Sequence, residues 1–204
     1  MNHDTRARTL CLSLALASSA LAGCSATVWD YDYGKEYDPR KHEYVIGPSD
    51  GLSINVWRNG DLSFQATVRP DGTITMPLIG DLQVAAKTPS QVRDEITKRM
   101  QAFVKDESAV VTVAVTNVQS YKFTVTGNVQ QAGIFASTYY VTVAEAIAMA
   151  GGPTRFADAE GVKVIRKSPD GKIREIPINY DLIKQREAPE MDLVLVTGDT
   201  VFIP

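Results

Sequence analysis

Few side chains in this 204-residue chain have the type and the spacing that catalysis requires. A Ser/His/Asp triad needs a histidine held in a rigid site, and His42 lies in a polar, turn-rich stretch where we expect it to be solvated. Paired carboxylates could serve as the acid and base of a glycosidase. The candidates are Asp50, Asp61, Asp71 and Asp81. Asp50, Asp71 and Asp199 stand in turn sequences, where hydrogen bonds to the local backbone explain them. We therefore predict no catalytic residue.

Cys24 is the residue whose setting predicts a covalent modification. A short basic region with Arg6 and Arg8 precedes an apolar segment of 13 residues, Leu10–Ala22. This segment is shorter than the roughly 20 residues of a membrane-spanning helix, and it predicts a secretory signal. The sequence Leu21-Ala22-Gly23-Cys24 resembles the bacterial lipobox, which implies cleavage between Gly23 and Cys24 and lipids on the cysteine. The alternative is an ordinary signal peptide followed by a coincidental cysteine.

Cleavage before Cys24 would leave one cysteine in the mature chain, and this limits the remaining chemistry. No disulfide, catalytic thiolate or cysteine-bound zinc is then expected. Asp30 and Asp32 lack the further oxygen ligands of a calcium loop, and the sequence has no glycine-rich phosphate-binding motif. A net charge of -3 argues against nucleic-acid binding. We therefore predict no metal, cofactor or nucleic-acid partner.

The residues after Cys24 indicate where the chain is anchored. Ser25 follows the cysteine in place of the Asp that usually retains lipoproteins at the inner membrane of enteric bacteria, which favours an outer-membrane anchor facing the periplasm. Residues 25–43 are polar and turn-rich, and they predict a tether between the lipid and the folded body. The alternative for their aromatic side chains is a place at the membrane interface or against a neighbour. These are Trp29, Tyr31, Tyr33 and Tyr37.

Residues 44–118 predict a first small unit of strands and one helix. Leu52, Ile54 and Val56 alternate with polar residues as in a half-buried strand, and a second strand ends near Val68. The turn at residues 69–72 leads into a returning strand, residues 73–78, in a hairpin or a related bend. Thr88-Pro89-Ser90-Gln91 predicts a helix start with a capping box. The apolar face of this helix comprises Val92, Ile96, Met100, Phe103 and Val104. A valine-rich strand follows at residues 109–118.

Residues 119–204 predict a second unit that resembles a β-grasp. A strand at residues 121–125 breaks at Gly127, and residues 133–140 continue extended. Thr142-Val143-Ala144-Glu145 starts a short helix that Gly151-Gly152-Pro153 ends. Strands at residues 162–167 and 172–178 flank a turn, Ser168-Pro169-Asp170-Gly171, and residues 191–204 close the unit. The fold class is therefore α+β, with two small α+β units in sequence.

Two segments of the first unit resemble bacterial outer-membrane polysaccharide export proteins. They are residues 44–57, Tyr-Val-Ile-Gly-Pro-Ser-Asp-Gly-Leu-Ser-Ile-Asn-Val-Trp, and residues 68–80, Val-Arg-Pro-Asp-Gly-Thr-Ile-Thr-Met-Pro-Leu-Ile-Gly. The second unit resembles a soluble-ligand-binding β-grasp (SLBB) domain at Val125-Thr126-Gly127-Asn128-Val129, at Ala150-Gly151-Gly152 and at the closing Thr197-Gly198-Asp199-Thr200. The predicted organisation is a signal peptide at residues 1–23, a lipidated N-terminus and tether at 24–43, an export domain at 44–118 and an SLBB domain at 119–204.

The sequence departs from this family in two places. Ser49-Asp50-Gly51 stands where the family usually has Gly-Asp and a bulky aliphatic residue, so we expect one altered turn. Longer members continue into a second β-grasp repeat and an amphipathic helix that lines an outer-membrane pore. The second departure is that this sequence stops at Pro204, so we expect neither segment in this chain. The chain resembles the short export lipoproteins of exosortase-associated exopolysaccharide systems, and we expect a separate outer-membrane pore protein to complete the exit.

The resemblance implies a non-enzymatic component of an exopolysaccharide export channel. Copies of the protein would form a ring through head-to-tail contacts. The lipid on Cys24 would anchor the ring in the membrane, and the polysaccharide would move through its lumen. The ring would dock on an inner-membrane polysaccharide co-polymerase. The alternative is a monomeric sugar-binding or sensory lipoprotein, with Trp57-Arg58-Asn59 as its compact candidate site, although Trp57 fits a core position equally well. A third possibility is a glycan-modifying enzyme, which would need an essential carboxylate.

Overall fold

The computed structural model describes residues 31–103, 110–168 and 170–204. The strands are β1 (Gly51–Val56), β2 (Phe64–Thr67), β3 (Thr73–Met76), β4 (Gly80–Gln83), β5 (Val111–Asn117), β6 (Lys122–Gly127), β7 (Gly133–Ala136), β8 (Val162–Lys167), β9 (Ile173–Ile178) and β10 (Thr200–Ile203). The helices are α1 (Pro89–Met100), α2 (Val143–Met149) and α3 (Tyr180–Gln185). Residues Tyr31–Pro204 form a single unit. The α+β class predicted from the sequence is confirmed.

The first half is an antiparallel sheet of order β2-β1-β5 packed against α1. Alternation along β1 places Leu52, Ile54 and Val56 in the core. The helix begins with the predicted capping box, in which Thr88 and Gln91 each accept a hydrogen bond from the other's backbone N–H. Its buried face ends at Met100. Phe103, predicted on that face, follows the helix end and is 56% exposed, and Val104 lies outside the described residues.

The turn at residues 69–72, predicted as a hairpin or a related bend, is a bend between two sheets. Gly72 donates its N–H to the Arg69 carbonyl at 2.8 Å, with φ +81° at the glycine, as the turn sequence predicts. However, β2 pairs with β1, while β3 pairs with β4, a strand that the sequence analysis missed. The chain leaves the first sheet at Val68. The N–H of Val68 donates to the Asp50 carbonyl, and its carbonyl accepts from the Ser49 N–H. These two bonds hold Val68 beside the start of β1.

The second half is a five-stranded mixed sheet of order β7-β6-β10-β8-β9, in which only β6 and β10 are parallel. A capping box between Thr142 and Glu145 starts α2, and Gly151 and Gly152, both at positive φ, end it. The predicted turn after β8 is closed by the N–H of Gly171, which donates to the Ser168 carbonyl. Pro169 of that turn lies outside the described residues. The sequence analysis missed α3, whose six residues are too few to show a helical period.

The segment predicted as a tether packs on the second half from Tyr31 onward. Tyr33 lies in a single 3₁₀ turn and is buried, and its hydroxyl donates to the Pro177 carbonyl at 2.7 Å. Asp38 caps a second 3₁₀ turn, in which Pro39 is buried. The described part of this segment, residues 31–43, is therefore part of the fold. The buried side chains of this segment, Tyr33 and Pro39, follow no helix or strand periodicity. This explains why the sequence suggested a linker.

Candidate functional site

Asp50 is a fully buried carboxylate that connects the two halves of the chain. It accepts hydrogen bonds from the Gly47 N–H at 2.8 Å and from the Tyr44 hydroxyl at 2.7 Å. From the other side, the N–H groups of Gln119 and Ser120 donate to it at 2.8 Å each, as does the Ser120 hydroxyl. The interpretation of Asp50 as a local turn acceptor is therefore incomplete. The Gly47 N–H bond is local, but three of the five bonds come from residues about 70 positions later.

These donors determine the charge state of the junction. Burial alone would raise the pKa of Asp50, but the hydrogen bonds from Gly47, Tyr44, Gln119 and Ser120 outweigh it and lower the pKa below its usual value. Burial raises the pKa of Tyr44, and the hydrogen bond to Asp50 adds to this effect. At neutral pH the junction therefore holds an ionised carboxylate opposite a neutral phenol, which suits a structural link.

A shallow cleft of about 360 Å³ opens beside this junction. Its lining residues come from both halves and include Tyr37, Tyr44, Pro48, Ser120, Tyr140 and Thr197. Tyr37 stacks on His42 with ring centroids 4.8 Å apart. His42 is exposed, as expected. The cleft offers aromatic surface and hydroxyl groups, which suit binding more than bond-breaking chemistry.

A second buried polar cluster is centred on Arg166 of β8. Its guanidinium donates to both carboxylate oxygens of Asp199, at 2.7 Å from Nη2 to Oδ2, and to the Val194 carbonyl at 3.0 Å. Its Nη1 donates to Glu36 at 3.1 Å. Arg174 of β9 also donates to Glu36. The turn explanation of Asp199 is thus incomplete, since this carboxylate also neutralises a buried arginine from another strand.

Burial is the main cause of the pKa shifts of Asp199 and Tyr31. It raises the pKa of Asp199, and the Arg166 guanidinium opposes that rise. Burial and the hydrogen bond to Glu36 raise the pKa of Tyr31 to about 12. Each of these side chains has a partner, and in the described part of the chain no buried side-chain nitrogen or oxygen lacks one. The cluster thus has the character of a structural clamp.

Sequence reasoning missed Arg166, Glu36, Tyr44 and Ser120. One signal was available for Arg166, because it follows Val162 and Val164 in the inward register of a strand. An arginine in that register needs a carboxylate partner. Nothing local to Glu36 identifies it as that partner.

The other candidate residues from the sequence do not converge on one site. Gly23 and Cys24, predicted as the cleavage and lipidation site, lie outside the described residues, as do Trp29 and Asp30. Asp71 accepts from the backbone and hydroxyl of Thr73, as its turn predicts. Asp81 bonds the Thr75 hydroxyl. Trp57, for which a core position was considered, is 61% exposed.

Residues 31–103, 110–168 and 170–204 have neither a metal-binding cluster nor a membrane-spanning helix. Within them, no three His, Cys, Asp or Glu side chains are grouped closely enough to hold a metal ion. No helix in this part of the chain has the length and apolar character needed to span a membrane.

The sequence matches two known domain families in the order of the two halves. Residues 38–116 match the family described as "Polysaccharide biosynthesis/export protein". Residues 122–177 match the SLBB domain. The first match includes Tyr44 and Asp50 of the junction, and the second includes Arg166 and Arg174. The protein is thus of the class that joins an export domain to an SLBB domain.

Curated relatives agree with this class. The chain is 32% identical over 129 residues to the exopolysaccharide production protein ExoF of Rhizobium meliloti, covering 57% of this chain and 30% of that protein. It is 28% identical over 183 residues to the EPS I polysaccharide export outer membrane protein EpsA of Ralstonia nicotianae, covering 78% and 46%. It is 26% identical over 148 residues to the capsule polysaccharide export outer membrane protein CtrA of Neisseria meningitidis serogroup A, covering 70% and 36%.

These relatives are much longer proteins, and the chain spans less than half the length of each. Both domains and the relatives nevertheless point the same way. The chain contains an export domain followed by an SLBB domain and is similar to outer-membrane polysaccharide export proteins, as the motifs at residues 44–57 and 68–80 indicated.

Proposed function

We propose that this protein is a lipid-anchored, non-enzymatic component of an exopolysaccharide export channel. The observation that carries the proposal is the match to an export domain followed by an SLBB domain. The buried Asp50 link supports it, because a carboxylate bonded from both halves fixes the two domains against each other. A channel that surrounds a moving polymer needs subunits whose domains are fixed in this way. In the described part of the chain every buried side-chain nitrogen and oxygen has a hydrogen-bond partner, which favours a scaffold over an enzyme.

The anchor in this proposal is a lipid on Cys24, at the periplasmic face of the outer membrane. Two or three acyl chains give durable attachment, whereas one holds only weakly. The segment from Tyr31 to Glu43 supports the proposal indirectly. Since this segment is packed on the SLBB domain through Tyr33 and Glu36, the lipid would hold that domain close to the membrane.

Assembly into a ring is the next part of the proposal. A ring requires a head-to-tail interface built from two different surfaces of each copy. The SLBB sheet has β7 at one edge and β9 at the other. Ile134 on β7 is 75% exposed and Ile173 on β9 is 71% exposed. The two edge strands therefore each present an exposed apolar residue, which could form the two different surfaces of a head-to-tail interface. The completed ring docks on an inner-membrane polysaccharide co-polymerase and conducts the polymer.

An in-frame deletion in the source bacterium tests the export role. We expect surface exopolysaccharide to fall and polymer to accumulate inside the cell, with recovery when the wild-type gene is restored. Cys24→Ala should restore export poorly. Cys11→Ala, which changes the cysteine inside the predicted signal segment, is the matched control and should restore it fully. Normal export in the deletion strain would refute the proposal.

The second candidate function is a monomeric sugar-binding or sensory lipoprotein. The exposure of Trp57 favours it, since an indole in solvent beside polar side chains suits a sugar ring. The two candidates differ in assembly. A detergent-solubilised protein that sediments as a monomer at all concentrations, with export unchanged on deletion, would favour the second.

A further inference from the structure

The outer face of the sheet β2-β1-β5 carries no charged side chain. The three strands, all in the described part of the chain, contain no Asp, Glu, Lys or Arg, although 22% of the whole sequence is charged. The outward residues are Ser53, Asn55, Gln65, Thr67, Thr112, Ala114 and Thr116. Exposed strands, and outer strands above all, usually carry charged residues that prevent unwanted pairing. The face thus offers a ligand hydroxyl and amide groups without any charge on the strands themselves.

Trp57 lies at one end of this face. Its backbone N–H donates to the Val110 carbonyl at 2.9 Å, so the residue is held beside the start of β5, while 61% of it remains exposed. The side chains of Asn55 and Thr112 stand opposite each other in register. Together these four residues line a depression of about 380 Å³. The volume is at the small end of the roughly 300–1,000 Å³ range of ligand sites, which suits a short segment of a longer chain.

The chemistry of the depression matches that of a sugar ring. A pyranose presents an apolar face of C–H groups and a rim of hydroxyls, so it can lie on an indole while its hydroxyls bond neighbouring groups. Asn55 offers both a carbonyl acceptor and amide donors, and Thr112 offers a hydroxyl. These groups are uncharged, as the hydroxyls of a neutral sugar are. An anionic ligand would be expected to select Lys or Arg. The strands of this face have none, and Arg58, which follows Trp57, does not line the depression.

We propose that the Trp57 face, defined as Trp57, Asn55, Thr112 and the outward hydroxyl and amide residues of β1, β2 and β5, binds an uncharged, hydroxyl-rich stretch of a glycan. The identification of that glycan with the transported polymer rests on the proposed export function. The existence of the binding site does not depend on that function. A second copy of the chain is the other conceivable occupant. The buried centre of a protein interface is apolar and aromatic, whereas this face has hydroxyls and amides across most of its area.

The test is a titration of the purified full-length lipoprotein in detergent with a panel of neutral oligosaccharides and with exopolysaccharide from the source bacterium. We expect wild-type protein to bind at least one of these, with quenching of the Trp57 fluorescence in a Trp29→Phe background. Trp57→Ala should weaken binding about tenfold, and Asn55→Ala should weaken it as well. Trp57→Phe should retain part of the affinity. Phe156→Ala removes an aromatic side chain of similar exposure, 72%, from the other domain and should bind as wild type.

Three outcomes would overturn the proposal. One is wild-type protein that binds no saccharide in the panel. Another is Trp57→Ala protein that is folded by circular dichroism and binds as tightly as wild type. The third is Trp57→Ala protein that loses self-association instead of saccharide binding, which would make the face a contact between copies. Failure of the export function looks different, since a deletion without an export defect leaves saccharide binding through Trp57 intact.

Discussion

Glu36 and Arg166 lie 130 residues apart in the sequence and meet at 3.1 Å between Oε2 and Nη1. Both side chains are only 5% exposed. The pair ties the chain just after Tyr31 to the inner face of the SLBB sheet, and Arg174 holds the same carboxylate from the next strand. The N-terminal segment is thus a structural part of the second domain, although the sequence places it before the first.

Glu36→Gln should destabilise the protein markedly. Removing one member of a buried ion pair leaves an uncompensated charge, which typically costs about 3–5 kcal/mol. Because Asp199 still faces Arg166, we expect the free energy of unfolding to fall by about 3 kcal/mol, measured by urea denaturation. Asp32→Asn is the matched control. Its ion pair with Lys35 is exposed, so the loss should be much smaller than that of Glu36→Gln. Equal losses in the two variants would mean that the Glu36 pair is solvated.

Asp50 should give the protein a stability that depends on pH. Its folded pKa is lowered from 3.8, so its contribution is complete above the unfolded value and is lost as the pH falls through the lower folded value. We expect Asp50→Asn to reduce the free energy of unfolding by about 2 kcal/mol at pH 7, because hydrogen bonds to a charged group are lost. The difference from wild type should shrink as the pH is lowered from about 4 toward 2.

The control for Asp50 is Asp61→Asn, at an exposed position in a 3₁₀ turn. It should leave both the stability at pH 7 and its acid dependence close to those of wild type. The explanation of the junction is wrong if Asp50→Asn keeps the full difference from wild type at pH 2. The carboxylate charge would then contribute nothing to that link.

Ser49→Gly should stabilise the protein. Ser49 adopts φ +75°, the left-handed region that costs a residue with a Cβ about 1–2 kcal/mol. Part of this gain is offset by the greater freedom of glycine in the unfolded chain. We expect a net increase of about 0.5–1 kcal/mol in the free energy of unfolding. Ser53→Gly, in the extended strand β1, should instead lower it by about the same amount. A loss at both positions would show that Ser49 is not strained.

Ser49 stands where the family motif has glycine and adopts the positive φ that glycine favours, so the altered turn expected there stays a prediction. The strand β1 and the starts of α1 and α2 were predictable from the sequence. Their signals are an alternation with period two and a capping box of four residues, and both are local. Where structure is specified within a few residues, the sequence is sufficient.

The remaining features depend on contacts between distant residues. The turn at residues 69–72 has the same local chemistry whether its strands pair with each other or with other strands, so the sequence could not decide between a hairpin and the bend that the structure has. Tyr33 is buried only because β9 presents the Pro177 carbonyl to its hydroxyl. The exposure of Trp57 depends on the position of β5 beside β1. None of these relations has a signature in a short segment.

The head-to-tail ring predicts a specific pattern of loss and rescue. If the β7 edge of one copy contacts the β9 edge of the next, Ile134→Glu and Ile173→Glu each disrupt every interface and should give monomers by sedimentation velocity. An equal mixture should form dimers, since the intact β9 edge of the first variant meets the intact β7 edge of the second. Such a dimer cannot grow, because both of its free edges carry a glutamate.

Lys98→Glu on the exposed side of α1 is the matched control for added negative charge, and it should assemble as wild type. Self-association through a two-fold contact gives a different result. There, the same surface is used twice, and mixing the two variants restores nothing beyond what each forms alone. Full rings from Ile134→Glu and from Ile173→Glu would exclude both edges from the interface. Dimers that appear only in the mixture would establish a head-to-tail contact between β7 and β9.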